Sequence, residues 1–95
     1  MNFEWDDRKN DLNIDKHGFE FADAYRIFDW PMVIDLDDRY DYGEDRWIGT
    51  GILDGRVVVV VYTEPDKRTI RIISIRKALS HERKSYDQYL KNRLV

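Results

Sequence analysis

The feature that most constrains the fold is an almost unbroken apolar run at residues 57–63, with the sequence VVVVVYT. Successive side chains of a strand point to opposite faces of a sheet, so this run is apolar on both faces and needs cover on both. At an exposed edge, such a run would be an aggregation hazard. It therefore predicts the central strand of a sheet that is covered on both of its faces.

Three further segments have the composition of strands, and turn signals bound them. Asp54-Gly55 predicts a hairpin turn, Pro65-Asp66 predicts the next turn, and the acidic residues from Asp37 to Glu44 predict a loop. Together with the apolar run, these segments predict an antiparallel meander. Its four strands cover residues 32–36, 46–53, 57–63 and 69–77.

A short strand and a helix are predicted before the sheet. Residues 3–5 have strand composition and start a sheet edge. Asp6 or Asp7 can then cap a helix, because its carboxylate accepts free backbone N–H groups. This helix runs to about Lys16, and Gly18 is a natural stop after it.

Two more helices complete the predicted fold. One covers residues 20–28 and ends before Trp30-Pro31, because the residue before a proline avoids helical angles. Its apolar face, at the spacing of an α-helix, consists of Phe21, Ala24, Tyr25 and Phe28. The other is capped by Ser80 and runs to about Arg93. Its narrow apolar stripe consists of Tyr86, Tyr89, Leu90 and Leu94. The fold class is therefore α+β, with helices packed on an antiparallel sheet.

Length and composition exclude several classes of protein. A chain of 95 residues predicts one domain, residues 1–95, without room for a separate cofactor-binding domain. There is no cysteine, which excludes disulfides, thiolate metal sites and a cysteine nucleophile, and which suits a reducing compartment. The first residues lack the apolar run of a secretory signal, and the longest apolar run is far shorter than the roughly 20 residues of a membrane-spanning helix. We therefore expect a cytoplasmic protein with no membrane partner.

Charge is divided unevenly along the chain. Residues 1–55 carry six basic and fifteen acidic side chains, whereas residues 56–95 carry ten basic and four acidic ones. A basic end on a compact domain suggests a polyanionic partner. Scattering of the same charges over a solvated surface is an equally good explanation of the pattern.

His17 is one of two histidines and follows a predicted helix beside Lys16. Imidazole titrates near neutral pH and is suited to general acid–base catalysis. The alternative role is structural, because His and Lys also favour the negative end of a helix dipole.

Arg71, Arg76 and Lys77 lie on the last predicted strand. Because strand side chains alternate, Arg71 and Arg76 should face opposite sides of the sheet unless a bulge intervenes, and Lys77 should share the side of Arg71. Guanidinium groups match phosphate in a bidentate fork, which makes both arginines candidate phosphate ligands. For Arg71, the alternative is an ion pair with an acidic residue of the first half of the chain.

The start of the last helix carries Arg83 and Lys84 beside Glu82. A helix N-terminus attracts anions through its free N–H groups, so two extra cations there favour a phosphate site, with a solvated surface as the alternative. The acidic residues of the predicted loop do not have the spacing of a calcium loop. We expect no metal site and no cofactor.

Three blocks of the sequence together resemble the BrnT family of toxins from bacterial type II toxin–antitoxin modules. The first block is Trp5-Asp6-x-x-Lys9-x-x-x-Asn13-x-x-Lys16-His17-Gly18-x-x-Phe21. The second is Tyr42-Gly43-Glu44-x-Arg46. The third is Ile70-Arg71-Ile72-Ile73-Ser74-x-Arg76-x-Ala78, followed by Glu82-Arg83-x-x-Tyr86. The order of the blocks makes the resemblance specific, and it covers about residues 3–87.

The resemblance implies a RelE/ParE-like fold and a small ribonuclease that blocks translation by cutting RNA. It also implies a BrnA-like antitoxin partner, which binds operator DNA as a dimer, and a complex of two toxins with two antitoxins. Relatives often carry Arg after the Thr-Glu that matches Thr63-Glu64, whereas this chain has Pro65. If that Arg contacts RNA in relatives, Lys67 or Arg68 would make the corresponding contact in this chain.

A metal-free ribonuclease needs a base for the 2′-hydroxyl, cations for the phosphorane and an acid for the 5′-oxygen. We expect Lys16 or His17 as acid or base, with Glu64 as a weaker candidate base. The candidate phosphate ligands are Arg71, Arg76 and Arg83, and the candidate RNA-binding residues are Lys67, Arg68, Lys77 and Lys84. The alternative function is a non-catalytic module that binds nucleic acid or protein.

Overall fold

A computed structural model of the chain describes residues 1–93, so Leu94 of the predicted apolar stripe lies outside the described residues. The strands are β1 (Asn2–Trp5), β2 (Val33–Asp37), β3 (Arg46–Leu53), β4 (Arg56–Asp66) and β5 (Thr69–Lys77). The helices are α1 (Asp7–His17), a 3₁₀ helix (Phe21–Asp29) and α2 (Ser80–Arg93). The predicted element order is confirmed.

The five strands form one sheet in the order β1-β5-β4-β3-β2. The apolar run lies on β4, which is the central strand as predicted. β2 to β5 form the antiparallel meander, whereas β1 pairs parallel to β5. The sheet is therefore mixed, with the first strand of the chain beside the last.

Helices cover both faces of the sheet. On one, here called the core face, the 3₁₀ helix covers the buried strand residues Val58, Val60 and Tyr62, whereas α1 packs against β5. On the other, the α2 face, Tyr86 of α2 is buried, and its hydroxyl donates to the carbonyl of Pro31 at 2.7 Å. The alternating valines of β4 explain this arrangement, because each face of that strand needs its own cover.

The second helix is a 3₁₀ helix rather than the predicted α-helix. Its buried residues are Phe21, Ala24 and Ile27, which follow one another at intervals of three. Three residues per turn place these side chains above one another. Tyr25, which was predicted to lie on the apolar face of the helix, is 51% exposed. An α-helical spacing and a 3₁₀ spacing share the i and i+3 positions, so the pattern did not distinguish the two.

A register shift in β5 changes which side chains share a face. Arg71 pairs with Thr63 and Arg76 pairs with Val59, with the irregularity between them on the β4–β5 ladder. Thr63 and Val59 are four residues apart, so Arg71 and Arg76 point to the same α2 face. The alternation rule was wrong here, and the bulge exception applies. Lys77 pairs with Val58 and falls on the core face, opposite Arg71, contrary to prediction.

Two local predictions are corrected near the ends of β4 and α2. Pro65 lies within β4 rather than in a turn, at a position where the β4–β5 register is irregular and no ladder hydrogen bond is lost. At the start of α2, the Glu82 carboxylate accepts from the backbone N–H of Leu79 at 2.7 Å. Glu82 therefore provides the cap hydrogen bond that we expected from Ser80, in the manner of a capping box.

None of the helices within residues 1–93 has the length and apolarity needed to cross a membrane.

Candidate active site

Arg76 and Glu82 form an ion pair where β5 leads into α2. The Glu82 carboxylate accepts hydrogen bonds from Nη1 and Nη2 of Arg76 at 2.8 and 2.9 Å. The hydrogen bonds from Arg76, against the effect of burial and together with the Leu79 N–H, lower the pKa of Glu82 to about 2. Glu82 is therefore an anion at neutral pH and is too weakly basic to accept a proton there.

The ion pair leaves one edge of Arg76 available. Nη1 and Nη2 donate to Glu82, and Nη1 also donates to the carbonyl of Lys77 at 3.3 Å. Nε donates no hydrogen bond within residues 1–93, so Nε and Nη2 can still donate to two oxygens of an anion in a bidentate fork. The hydrogen bonds to Glu82 raise the pKa of Arg76, and the guanidinium is a fixed cation.

His17 lies in the last turn of α1, directly before Gly18. Gly18 has a φ of 78°, the left-handed conformation of a helix C-cap, and its N–H donates to the carbonyl of Ile14. His17 lines a groove of about 230 Å³ between α1 and the bulged part of β5, together with Lys16 and Ser74. In the predicted block, Gly18 thus ends α1, and Lys16 and His17 line the groove.

The pKa of His17 is lowered below its ordinary value of 6.5. The largest cause is burial, and the positive charges of Lys16 and Arg76 act in the same direction. The imidazole is therefore neutral at pH 7 and can accept a proton. Ser74, which lines the groove with His17, is two residues from Arg76 on the same face of β5.

Asn13 fixes α1 to β5 beside this groove. β1 pairs only with residues up to Ile72, so the next part of β5 has a free edge. The Asn13 side chain completes that edge: its amide donates to the carbonyl of Ile75 at 3.0 Å and its oxygen accepts from the Ile75 N–H at 3.1 Å. The amide also donates to the carbonyl of Phe19 at 2.9 Å. These buried contacts hold His17 in a fixed position relative to Arg76.

Arg83 and Arg71 differ in their relation to this site, which consists of Lys16, His17, Ser74, Arg76, Glu82 and Arg83. Arg83 lies next to Glu82 and donates to the carbonyl of Ala78 at 3.4 Å and to Ser80 Oγ at 3.3 Å. Arg71 is paired with Glu4 at 2.8 Å, which is the acidic partner from the first half of the chain that the sequence suggested. Arg71 and Arg76 pair with residues of β4 that are four positions apart, so they are about 13 Å apart along the strand direction at 3.3 Å per residue.

The remaining sequence candidates lie on several parts of the surface. Glu64 is exposed near the end of β4 and alternates with Thr63, so it points away from the α2 face. Lys67 and Arg68 are exposed in the β4–β5 turn, and Lys84 is exposed on α2. The structure does not bring these four residues together with His17.

A second polar cluster, which we call the polar row, crosses the α2 face. It contains one residue from each strand: Asp37, Arg46, Thr63, Arg71 and Glu4. Sequence reasoning gave no role to Arg46 or Thr63, because only the pairing of β3 with β4 places them opposite each other. The neighbouring pair Trp47–Tyr62 sets that register.

Comparison with known proteins gives a consistent result. Residues 5–82 match the sequence model of a family described as the ribonuclease toxin, BrnT, of type II toxin–antitoxin systems. The chain is also similar to the crystal structure of the Brucella abortus ribonuclease toxin, BrnT, with 27% identity and a TM-score of 0.66. That match covers 84% of this chain and 99% of the Brucella chain. A search of curated proteins found no match.

Proposed function

The chain belongs to the BrnT family of ribonuclease toxins of type II toxin–antitoxin systems, and from this premise we propose that it cleaves RNA without a metal ion at the groove beside Arg76. The observation that carries the proposal is a groove lined by a neutral histidine, with a fixed guanidinium beside it on β5. His17 has a lowered pKa, and Arg76 is held by Glu82 with its Nε edge available. They supply a base and an anion ligand, two of the three kinds of group that such a reaction needs.

The proposed reaction is attack of a ribose 2′-hydroxyl on the adjacent phosphorus. Neutral His17 takes the 2′-hydroxyl proton as the new P–O bond forms. Arg76 binds the non-bridging oxygens, whose negative charge grows in the phosphorane, and Arg83 adds a second cation. The bond to the 5′-oxygen then breaks, and Lys16 donates the proton that this oxygen needs. The products are a 2′,3′-cyclic phosphate and a free 5′-hydroxyl.

Glu82 acts through Arg76 in this scheme. Its carboxylate is ionised and takes both Nη groups, which fixes the plane of the guanidinium. A fixed cation loses less freedom when it binds the transition state than a mobile one. Glu82 is therefore a positioning residue.

A type II toxin has a protein antitoxin as its partner. We propose that this partner is a BrnA-like, DNA-binding protein, that the complex contains two copies of each chain, and that operator DNA is contacted only through it. The antitoxin is expected to cover the α2 face at β5 and α2, because an acidic segment is the natural shield of a phosphate site. Inhibition of translation then follows from RNA cleavage when the antitoxin is absent.

The test is cleavage of RNA by the purified protein with EDTA present. Wild type should cut, and Arg76→Ala should reduce the rate by about 10²-fold or more, because one ligand of the developing charge is lost. Arg83→Ala should have a smaller effect. Arg8→Ala is the matched control, since Arg8 is an exposed cation in the first turn of α1. A wild-type protein that binds RNA but leaves it intact would favour the non-catalytic module instead.

A further inference from the structure

The polar row contains one cation that no carboxylate neutralises. Arg71 is paired with Glu4, and Asp37 accepts two hydrogen bonds from the guanidinium of Arg39, at 2.9 and 3.0 Å. Arg46 lies opposite Asp37 in the register, yet it forms no ion pair within residues 1–93. Charge is therefore balanced at both ends of the row and unbalanced at Arg46.

Two buried polar atoms at this point have no partner. The Nε of Arg46 and the Oγ1 of Thr63 are both buried and make no hydrogen bond within residues 1–93. Thr63 is 1% exposed, and extending the β3–β4 register by one residue beyond the pair Trp47–Tyr62 sets the two residues side by side on the α2 face. Buried polar groups are normally satisfied. The Nη groups of Arg46 also make no hydrogen bond within residues 1–93, but they are not buried, so they are the part of this cation that a ligand can reach.

The guanidinium of Arg46 is held in place before any ligand arrives. It lies over the ring of Tyr42, with 4.0 Å between the guanidinium carbon and the ring centroid. The Tyr42 hydroxyl donates to Asp37 at 3.2 Å, and Asp37 is itself held by Arg39. The hydrogen bonds from Arg39 lower the pKa of Asp37 to about 2, so this support stays ionised at neutral pH.

The chemistry of Arg46 defines the ligand. A guanidinium is a permanent cation with N–H donors only. A ligand with several anionic oxygens suits its Nη groups, and a phosphodiester has this composition. A single carboxylate from a protein partner also has two oxygens, so position must decide between the two.

We propose that Arg46 binds a second phosphodiester of the RNA substrate through its Nη groups, away from the bond that is cut, with buried Thr63 beside its Nε. This inference rests on the proposed ribonuclease function. Arg46 and Arg76 share the α2 face. The β4 residues opposite them, Thr63 and Val59, are four positions apart, or about 13 Å along the strand. A polymer with a phosphate on every residue can occupy both positions at once, whereas a lone carboxylate gains nothing from their alignment.

Binding of a 2′-O-methyl RNA oligonucleotide, which cannot be cleaved, tests the site directly. Its affinity is measured by fluorescence anisotropy over a range of salt concentrations. Arg46→Gln should weaken binding at least about 10-fold and reduce the slope of log affinity against log salt by about 1. Arg56→Gln is the matched control, because Arg56 also stacks on an aromatic ring, that of Phe19 at 4.9 Å, but lies at the other end of β3 and β4. This control should bind like wild type.

Thr63→Val is the second variant, because it keeps the shape of the side chain and removes only the hydroxyl. It should leave RNA affinity close to that of wild type, because the hydroxyl is buried, and leave the melting temperature unchanged or higher, since an unsatisfied buried hydroxyl is lost. Wild-type affinity in Arg46→Gln, with RNA cleavage by wild type intact, would overturn the second site and leave the proposed function standing. Loss of antitoxin binding without loss of RNA binding would also overturn it, in favour of a partner carboxylate. A wild-type protein that neither binds nor cuts RNA would remove both proposals.

Discussion

His17 illustrates how a single groove can set the protonation state of a side chain. Burial, Lys16 and Arg76 all disfavour the imidazolium, so the pKa of His17 lies below 6.5. A residue in this state is available as a base at neutral pH without help from a carboxylate. The same cations that lower its pKa are the groups proposed to bind and protonate the substrate.

At the residue scale, the pH dependence of cleavage should report this pKa. Activity of wild type should rise with pH through a limb that lies below pH 6.5, as His17 loses its proton. His17→Gln cannot titrate there, so the limb should disappear and the rate should fall about 10²-fold or more. Melting by circular dichroism should stay near normal. A well-folded His17→Gln protein with an unchanged profile would remove His17 from the chemistry and leave a role as a helix end.

A second residue-scale prediction concerns the stability of the fold in acid. The folded-state pKa of Glu82 is about 2, below its ordinary value of 4.5, so Glu82 stabilises the fold above pH 4.5 and this contribution is lost as the pH falls towards 2. Glu82→Gln should melt about 5 °C lower at pH 7, as expected for about 1 kcal/mol in a domain of this size, and should lose less stability in acid. Glu64→Gln, at an exposed glutamate without an ion pair in residues 1–93, is the control. Parallel melting curves for Glu82→Gln and wild type from pH 7 to 2 would contradict the assignment.

At the element scale, the hydrogen bonds of a single side chain, Asn13, attach α1 to the sheet more strongly than its apolar contacts do. Leu12, its large apolar residue, is 62% exposed, whereas Asn13 is 6% exposed and makes three hydrogen bonds to β5 and to Phe19. Asn13→Ala should reduce the free energy of unfolding by about 3 kcal/mol, because it leaves backbone groups of Ile75 unsatisfied. Urea titration measures the change.

Leu12→Ala on the same helix is the comparison for this prediction, with an expected loss of about 0.5 kcal/mol or less, as for an exposed site. If Asn13→Ala and Leu12→Ala reduce the free energy of unfolding by the same amount, apolar contacts rather than the hydrogen bonds of Asn13 attach α1 to the sheet.

The elements themselves were largely predictable from the sequence, and their pairing was not. The apolar run at β4, the Asp54-Gly55 turn and the Gly18 stop are local signals, and each marked its element correctly. The bulge that places Arg71 and Arg76 on one face has no local signal, because it depends on how β5 pairs with β4. For the same reason, sequence reasoning could name Arg76 and His17 as candidates but could not find Arg46 beside Thr63.

At the scale of the whole molecule, the α2 face holds Arg76 and Glu82 of the proposed active site as well as the polar row. An antitoxin that covers the part formed by β5 and α2 should therefore abolish cleavage. The purified toxin is mixed with its partner in equal amounts and RNA cleavage is measured. Added salt should restore some cleavage, since charge pairs across such an interface are screened. A stable complex that cuts RNA as fast as the free toxin would place the antitoxin elsewhere.

The parallel pairing of β1 with β5 has a consequence for how the toxin is made. A ribosome synthesises Glu4 early and its partner Arg71 only 67 residues later, which takes several seconds at about 5–20 residues per second. Until then the edge of the sheet is open, the groove beside His17 lacks its β5 wall, and neither Arg76 nor Glu82 exists. A growing chain therefore carries no assembled site until Arg76 and Glu82 have been synthesised.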